Sequence, residues 1–331
     1  MKTRSLSLLL LFPLTFACNE VLDFALSTPV TKSPKKLNSN KSVVANIVFK
    51  STDGGQTWQD ISEGLPENVQ GGGFFGNDGG LYLSAENELY HSAPNSTAPF
   101  WKKEIFPDKH SSIAPGKTGI YAYNYWDGQF LKRKNATSIW WPMYTNFPEK
   151  QVRTIFESDG GAVFIGSDKG LFKSTDSGKT WSQVHTGAMN LVESNGVLMA
   201  TTQEGIIRSS DGGENWELVI SEGGVGIAVE AINGGFAAIT YNTASETRRV
   251  RTSYDGGETW QAIDAGLPAS LSITSIVQMG DYLFCGHPGG IFRSADKGQT
   301  WELVRASIGE KVFNLSVSGN VLYAVPRAEG C

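Results

Sequence analysis

One polar octet recurs along this chain and limits what the rest can be. It reads STDGGQTW at 51–58, STDSGKTW at 174–181, SSDGGENW at 209–216, SYDGGETW at 253–260 and SADKGQTW at 294–301. The first two starts lie 123 residues apart, three periods of 41, so two degenerate copies are expected between them. SAPNSTAPFW (92–101) and KNATSIWW (134–141) stand in those places, each ending on tryptophan. The copies then number seven at a mean spacing of about 40 residues, the size of one four-stranded propeller blade. Five intact copies are too many for active sites, and they read as architecture.

The letters between the octets obey one grammar. A short β-type run precedes each octet (IVFKS, GLFKS, GIIRS, GIFRS) and another follows its tryptophan (WELVI, WQAID, WELVR). Upstream lie two more apolar runs joined by Gly, Asn or Asp, as in LVESNGVLMATT, and no stretch sustains a helical period. Each unit is therefore four antiparallel strands with the octet in the turn between the third and fourth. The C-terminal run VFNLSVSGNVLYAV supplies first and second strands and stops, whereas SVVANIVFKSTDGGQTWQDI begins with a third. Two strands from each end complete one blade, which seals the ring and leaves no edge exposed. The fold class is all-β, a seven-bladed β-propeller over residues 43–331.

Within the octet the aspartates Asp53, Asp176, Asp211, Asp255 and Asp296 are placed to accept backbone N–H bonds in the turn. Glycine supplies positive φ, and Trp58, Trp181, Trp216, Trp260 and Trp301 are expected to bury their rings against the hairpin. The pattern S-x-D-x-G-x-T-W resembles the Asp-box, or BNR, repeat of sialidases, sortilin-type receptors, cellulose- and xyloglucan-degrading enzymes and photosystem II assembly factor propellers. The resemblance spans residues 44–331. Single seven-bladed propellers of the photosystem II assembly factor type are similar in size and blade count, which implies a scaffolding role. Because this superfamily holds enzymes and binders alike, the resemblance fixes the fold and leaves the function to the site.

The sialidase resemblance implies an early F/Y-R-I-P arginine, a Tyr–Glu nucleophile pair and an Asp acid. No such arginine motif is present: after Arg4 the first arginine is Arg133. Arg208 and Arg293 occupy the place of Lys50 and Lys173 before their octets and read as exposed strand residues, leaving Arg153, Arg248, Arg249 and Arg327. There is no G-x-S-x-G, H-E-x-x-H or C-x-x-C, and the four histidines lack ligand spacing, so neither metal nor cofactor is expected. Cys285 aligns with Ala200, Ile165 and Ala324 as a core thiol. A net charge of −5 gives no basic face for nucleic acid.

Strand alternation separates two faces. The octets lie on one; the turns between second and third strands, and those between blades, lie on the other. The second face carries YNYWDGQ (123–129), YNTASETRR (241–249), HPGG (287–290) and PRAEG (326–330). Candidate ligand-binding residues there are Tyr125, Trp126, Asp127, Tyr241, Arg248, Arg249 and His287, with Arg153 at the channel mouth. Trp126 is not needed to close an octet; it reads either as an aromatic platform for a sugar or protein, or as core filling for a blade whose octet has decayed.

Residues 1–17, MKTRSLSLLLLFPLTFA, have a basic start and an apolar run, which reads as an export leader. Cys18 follows, and LTFAC resembles a bacterial lipoprotein processing box whose cysteine takes lipid. Residues 18–42, rich in Ser, Pro, Lys and Asn, read as a flexible tether. The expectation is a monomeric propeller in the periplasm or at the cell surface, anchored by lipid or else secreted. It binds a protein or glycan without turnover; a sialidase-like glycoside hydrolase is the alternative.

Overall fold

The computed structural model describes residues 46–66, 73–85, 88–106, 111–134, 137, 139–309 and 311–328. The leader, Cys18, the tether, Cys331 and the end of the 326–330 loop lie outside the described residues. Seven four-stranded antiparallel sheets surround a central channel, and no helix occurs among the described residues. Blade 1 joins Phe49–Ser51 and Gln59–Asp60 to Lys311–Ser318 and Val321–Ala328. Blades 2 to 7 occupy 74–104, 111–143, 152–185, 190–220, 226–262 and 275–306.

The ring closes as the two chain ends predict. Phe49, Lys50 and Ser51 pair with Ala324, Tyr323 and Leu322. At the adjoining seam with blade 7, the Arg305 guanidinium lies 3.8 Å from the centroid of the Phe49 ring, adding a cation–π contact to the closure.

All five intact octets fold alike. The serine Oγ donates to its aspartate at 2.7–2.8 Å and accepts the amide of the fifth-letter glycine at 2.7–2.9 Å. The aspartate also accepts from the amide and side chain of the seventh letter, which is Thr57, Thr180, Asn215, Thr259 or Thr300. These bonds, chiefly from the seventh letter, hold the carboxyls below the usual range, Asp53 and Asp296 at about 2.

The tryptophans do something the sequence did not indicate. Their rings reach the preceding blade, while Trp58, Trp216 and Trp260 keep the indole N–H on the Gly55, Gly213 and Gly257 carbonyls of their own octets at 3.0, 3.2 and 3.1 Å. Seven buried apolar clusters occur among the described residues, one at each seam between neighbouring blades, and each includes one closing tryptophan: Trp58, Trp101, Trp140, Trp181, Trp216, Trp260 or Trp301. Trp101, Trp140 and Trp301 also donate their indole N–H to Ile61, Ile105 and Ile263 carbonyls one blade back. Trp140 therefore closes the decayed octet of blade 3, while Trp141 is exposed.

The cations before the octets are likewise seam fasteners. Lys50 Nζ donates to Ser96 O at 3.3 Å, Lys173 pairs with Glu214 at 2.5 Å, Arg208 donates to Gly256 O at 2.7 Å and Arg293 to Gly54 O at 2.6 Å. Every acceptor belongs to the octet region of the following blade. The expectation that Arg208 and Arg293 are exposed is thus corrected: their side chains fold across the seam and retain 12% and 14% exposure. Where the octet of blade 3 has decayed, buried Arg133 pairs with Glu104 of blade 2 at 2.9 Å instead.

Glycine is needed at the fifth letter for two reasons. Gly213 has φ +86°, and a Cβ there would stand 2.5 Å from the Phe164 ring of blade 4. Its neighbour Gly212 has φ +73° with nothing within 4 Å. The fourth letter accordingly accepts Ser177 and Lys297 in other copies at φ +61° and +60°, whereas the fifth is always glycine. Gly212→Ala should cost about 1 kcal/mol of backbone strain. Gly213→Ala should cost at least about 3 kcal/mol, strain and seam overpacking together, in urea unfolding curves. Equal costs would show that the seam contact contributes nothing.

Candidate functional site

Trp126 stands at the tip of the turn between the second and third strands of blade 3, with 72% of its surface exposed. The core-filling reading is therefore excluded. The turn is held by its own hydrogen bonds: Trp126 N to Asn124 Oδ1 (2.9 Å), Gly128 N to Asn124 O (3.1 Å), Gln129 N to Asp127 Oδ1 (2.9 Å) and Asn124 N to Gln129 O (3.0 Å). A Cβ on Gly128 would lie 2.8 Å from the Glu149 carbonyl oxygen, so glycine lets this turn sit against the 149–150 segment.

Tyr125 meets the Trp126 ring edge-on at 4.8 Å and donates its hydroxyl to Asp168 Oδ2 at 2.9 Å. Arg153, at the second position of the strand Val152–Glu157, pairs with Asp168 and places its guanidinium 5.4 Å from the Tyr125 centroid. Hydrogen bonding to Asp168 raises the Tyr125 hydroxyl pKa, keeping it a donor. Trp126, Tyr125, Arg153 and Asp168 thus form a continuous ridge across blades 3 and 4. Asp168 was not singled out from sequence; its place in the Ser167–Gly170 turn is the cue.

Two clefts adjoin this part of the loop face. One, of about 340 Å³, lies toward blade 5 and is lined by Arg153, Asp168, His185, Gln203 and Glu204 among others. The other, of about 360 Å³, is lined by Asp127, Gly128, Pro148, Glu149 and Lys150 with part of blade 3. Arg153 also lines the axial channel, a cavity of about 540 Å³ that receives residues from the first strand of every blade. It stands at the channel mouth, as its place in the strand predicts.

The BNR/Asp-box repeat family model matches residues 49–60, the first octet and its flanks. Seven sheets, five intact boxes and that match agree. The chain is a seven-bladed β-propeller whose first octet matches the Asp-box repeat. Solved structures with the same fold include YCF48 bound to D1 peptide, with a TM-score of 0.52 and 14% identity over 77% of this chain and 93% of that one. An ancestral GH74 enzyme gives 0.56 and 13%, covering 85% of this chain but 45% of its own. Catalytically inactive virginiamycin B lyase from Staphylococcus aureus, with quinupristin, gives 0.57 and 12% over 77% and 94%. No curated protein sequence matches this chain.

The remaining candidates on this propeller do not join the ridge. Arg249 is already paired with Asp264 at 2.5 Å, and Arg248 donates to the Ile273 carbonyl at 2.7 Å. Both line a separate cavity of about 220 Å³ on blade 6, so Arg153 and Arg248 do not converge as a sialidase carboxylate clamp would require. Tyr241, half-buried, is the cross-strand neighbour of Arg248. His287 is buried; its Nε2 contacts Pro268 O at 2.8 Å and its Nδ1 accepts the Gly289 amide at 2.9 Å. Both ring nitrogens are consumed by the fold, so His287 is not available to a ligand. Arg327 lies 5.4 Å from the Phe74 ring at the seam of blades 1 and 2. Cys285 is fully buried and its thiol pKa is pushed up by that burial. Among the described residues no group of three His, Cys, Asp or Glu is arranged to hold a metal.

One further channel residue went unremarked in the sequence. Glu230 lies in the first strand of blade 6, Gly226–Ile232, and, half-buried, lines the channel. Loss of hydration pushes its carboxyl up to about 7. The folded pKa exceeds the unfolded value, so ionisation costs stability, beginning near pH 4.5 and complete above pH 7. Glu230→Gln should match the parent near pH 4.5 and exceed it by up to about 3 kcal/mol at pH 8, in denaturant unfolding at both values. A difference independent of pH would show that Glu230 ionises freely.

Proposed function

We propose that this chain is an exported, lipid-anchored, monomeric propeller that holds a protein partner on its loop face without chemical turnover. The observation that carries the reading is the Tyr125–Trp126 ridge: a large exposed ring on a turn fixed by four hydrogen bonds. An aromatic side chain held in advance loses little freedom on binding, and tryptophan is among the residues that most often dominate an interface. Two clefts, of about 340 Å³ lined by Arg153 and Asp168 and about 360 Å³ lined by Asp127 and Gly128, give a partner segment room beside the ridge and its turn. The YCF48 propeller, of the same fold, is known bound to a D1 peptide, and this supports a peptide segment as the occupant.

The leader and Cys18 support export and anchoring. A tether of 18–42 behind a lipid-bearing cysteine would hold the propeller off a membrane, and stable anchoring needs more than one acyl chain. Two measurements test the reading. Cys18→Ala should move the chain from the membrane to the soluble fraction of exporting cells. A photo-cross-linking residue at position 126 should yield a discrete protein adduct, and Trp126→Ala should weaken binding of that protein about tenfold or more, while Trp141→Ala leaves it unchanged. Glycan-array binding with no protein adduct, or binding indifferent to Trp126→Ala, would overturn the proposal.

A further inference from the structure

The octets bring one rung of each blade into register. The third-strand residue paired with the position after the closing tryptophan, its neighbour on the second strand and the next on the first strand form the triplets Lys50–Tyr323–Ser316, His91–Tyr82–Phe75, Lys132–Tyr121–Ala114, Lys173–Phe164–Phe156, Arg208–Met199–Val192 and Arg293–Phe284–Val277. Six blades thus carry a cationic or imidazole side chain at the third strand, a large side chain in the middle and an uncharged residue at the channel. Blade 6 inverts the order: Thr252, Ala237, Glu230. The inversion places a carboxylate on the channel and removes the cation from its own rung.

Among the described residues no other blade supplies a free counter-charge at the channel. Among the described residues the only other charged residue lining the channel is Arg153, and it is held by Asp168. Glu157 and Glu193 lie one residue further along their own strands and are engaged, the first by Lys132 at 3.1 Å and the second by the Asp159 amide. At the rung level the walls around Glu230 are Phe75, Ala114, Phe156, Val192, Val277 and Ser316. Asn190, whose side-chain amide nitrogen donates to Val229 O, also lines this cavity.

This combination selects a ligand class. A metal ion needs several oxygen ligands and the channel offers one carboxylate. A primary ammonium needs one counter-charge, and a short alkyl stem behind it matches apolar walls. We propose that the axial channel binds a primary ammonium on a short alkyl stem, of the kind a lysine side chain carries, with the Glu230 carboxylate as its counter-charge. The inference stands independently of the Trp126 ridge.

The test is NMR titration of the whole exported chain with n-butylammonium chloride, with n-butanol as neutral isostere. At pH 8 the amine should give saturable shifts at channel residues, at least tenfold tighter than the alcohol. Binding should weaken tenfold or more by pH 5.5, as the carboxyl protonates, and Glu230→Gln, which keeps the shape and removes the charge, should abolish the difference between amine and alcohol. Nα-acetyl-lysinamide serves as a second arm: binding like the amine assigns the channel to a lysine side chain presented by a chain, and exclusion assigns it to small free amines. Equal affinity for amine and alcohol, or unchanged amine binding by Glu230→Gln, would overturn the proposal.

Discussion

The contact between each box and the blade before it is the constraint on which the ring depends. At the fifth letter the backbone turns with φ between +81° and +88° and passes so close to the preceding blade that a Cβ would lie 2.8 Å or less from Phe284, Tyr144, Phe164, Met199 or Ile263. The serine hydroxyl fixes that turn from below and the tryptophan covers it from above. The cation before the octet completes the seam by reaching forward to the following box. Blades 1, 4, 5 and 7 are thereby joined to both neighbours through the same few letters, which explains why the octet repeats while the loops on the other face diverge.

That division of labour determines where ligands can be held. Side chains on the box face are consumed by turns and seams. On the loop face the ridge formed by Trp126, Tyr125, Arg153 and Asp168 leaves a large ring in solvent, and the channel behind it carries a carboxylate with no cation of its own rung. Arginine is spent chiefly on architecture: Arg133, Arg208, Arg249 and Arg293 are all in ion pairs with neighbouring acids.

Blade number, strand order and closure were legible in the sequence because a fixed period reports architecture directly, and because the chain ends supply complementary halves of one blade. The seating of the tryptophans and the role of Arg208 and Arg293 were not. Their partners lie in a neighbouring blade, 48 residues away for Arg208 and 239 for Arg293, and local pattern carries no information about which way a side chain leans across a seam. Arg248, Arg249 and His287 were candidates because they fall in a loop-face segment; nothing in a linear reading shows that Asp264, Ile273 and Pro268 already satisfy them. Glu230 was hidden for a different reason. In GIAVEAI a single polar letter looks like one side of a strand, and only the register of all seven rungs shows it as an exception.

The central claim is that the boxes are seam fasteners with the rigidity of the core, and native-state amide hydrogen exchange tests it most directly. The amides of Gly55, Gly178, Gly213, Gly257 and Gly298, each donating to a serine Oγ, should exchange as slowly as the inner-strand amides and open only with global unfolding. Exchange as fast as that of Gly196, in the turn between Asn190–Ser194 and Val197–Thr202, would contradict the account.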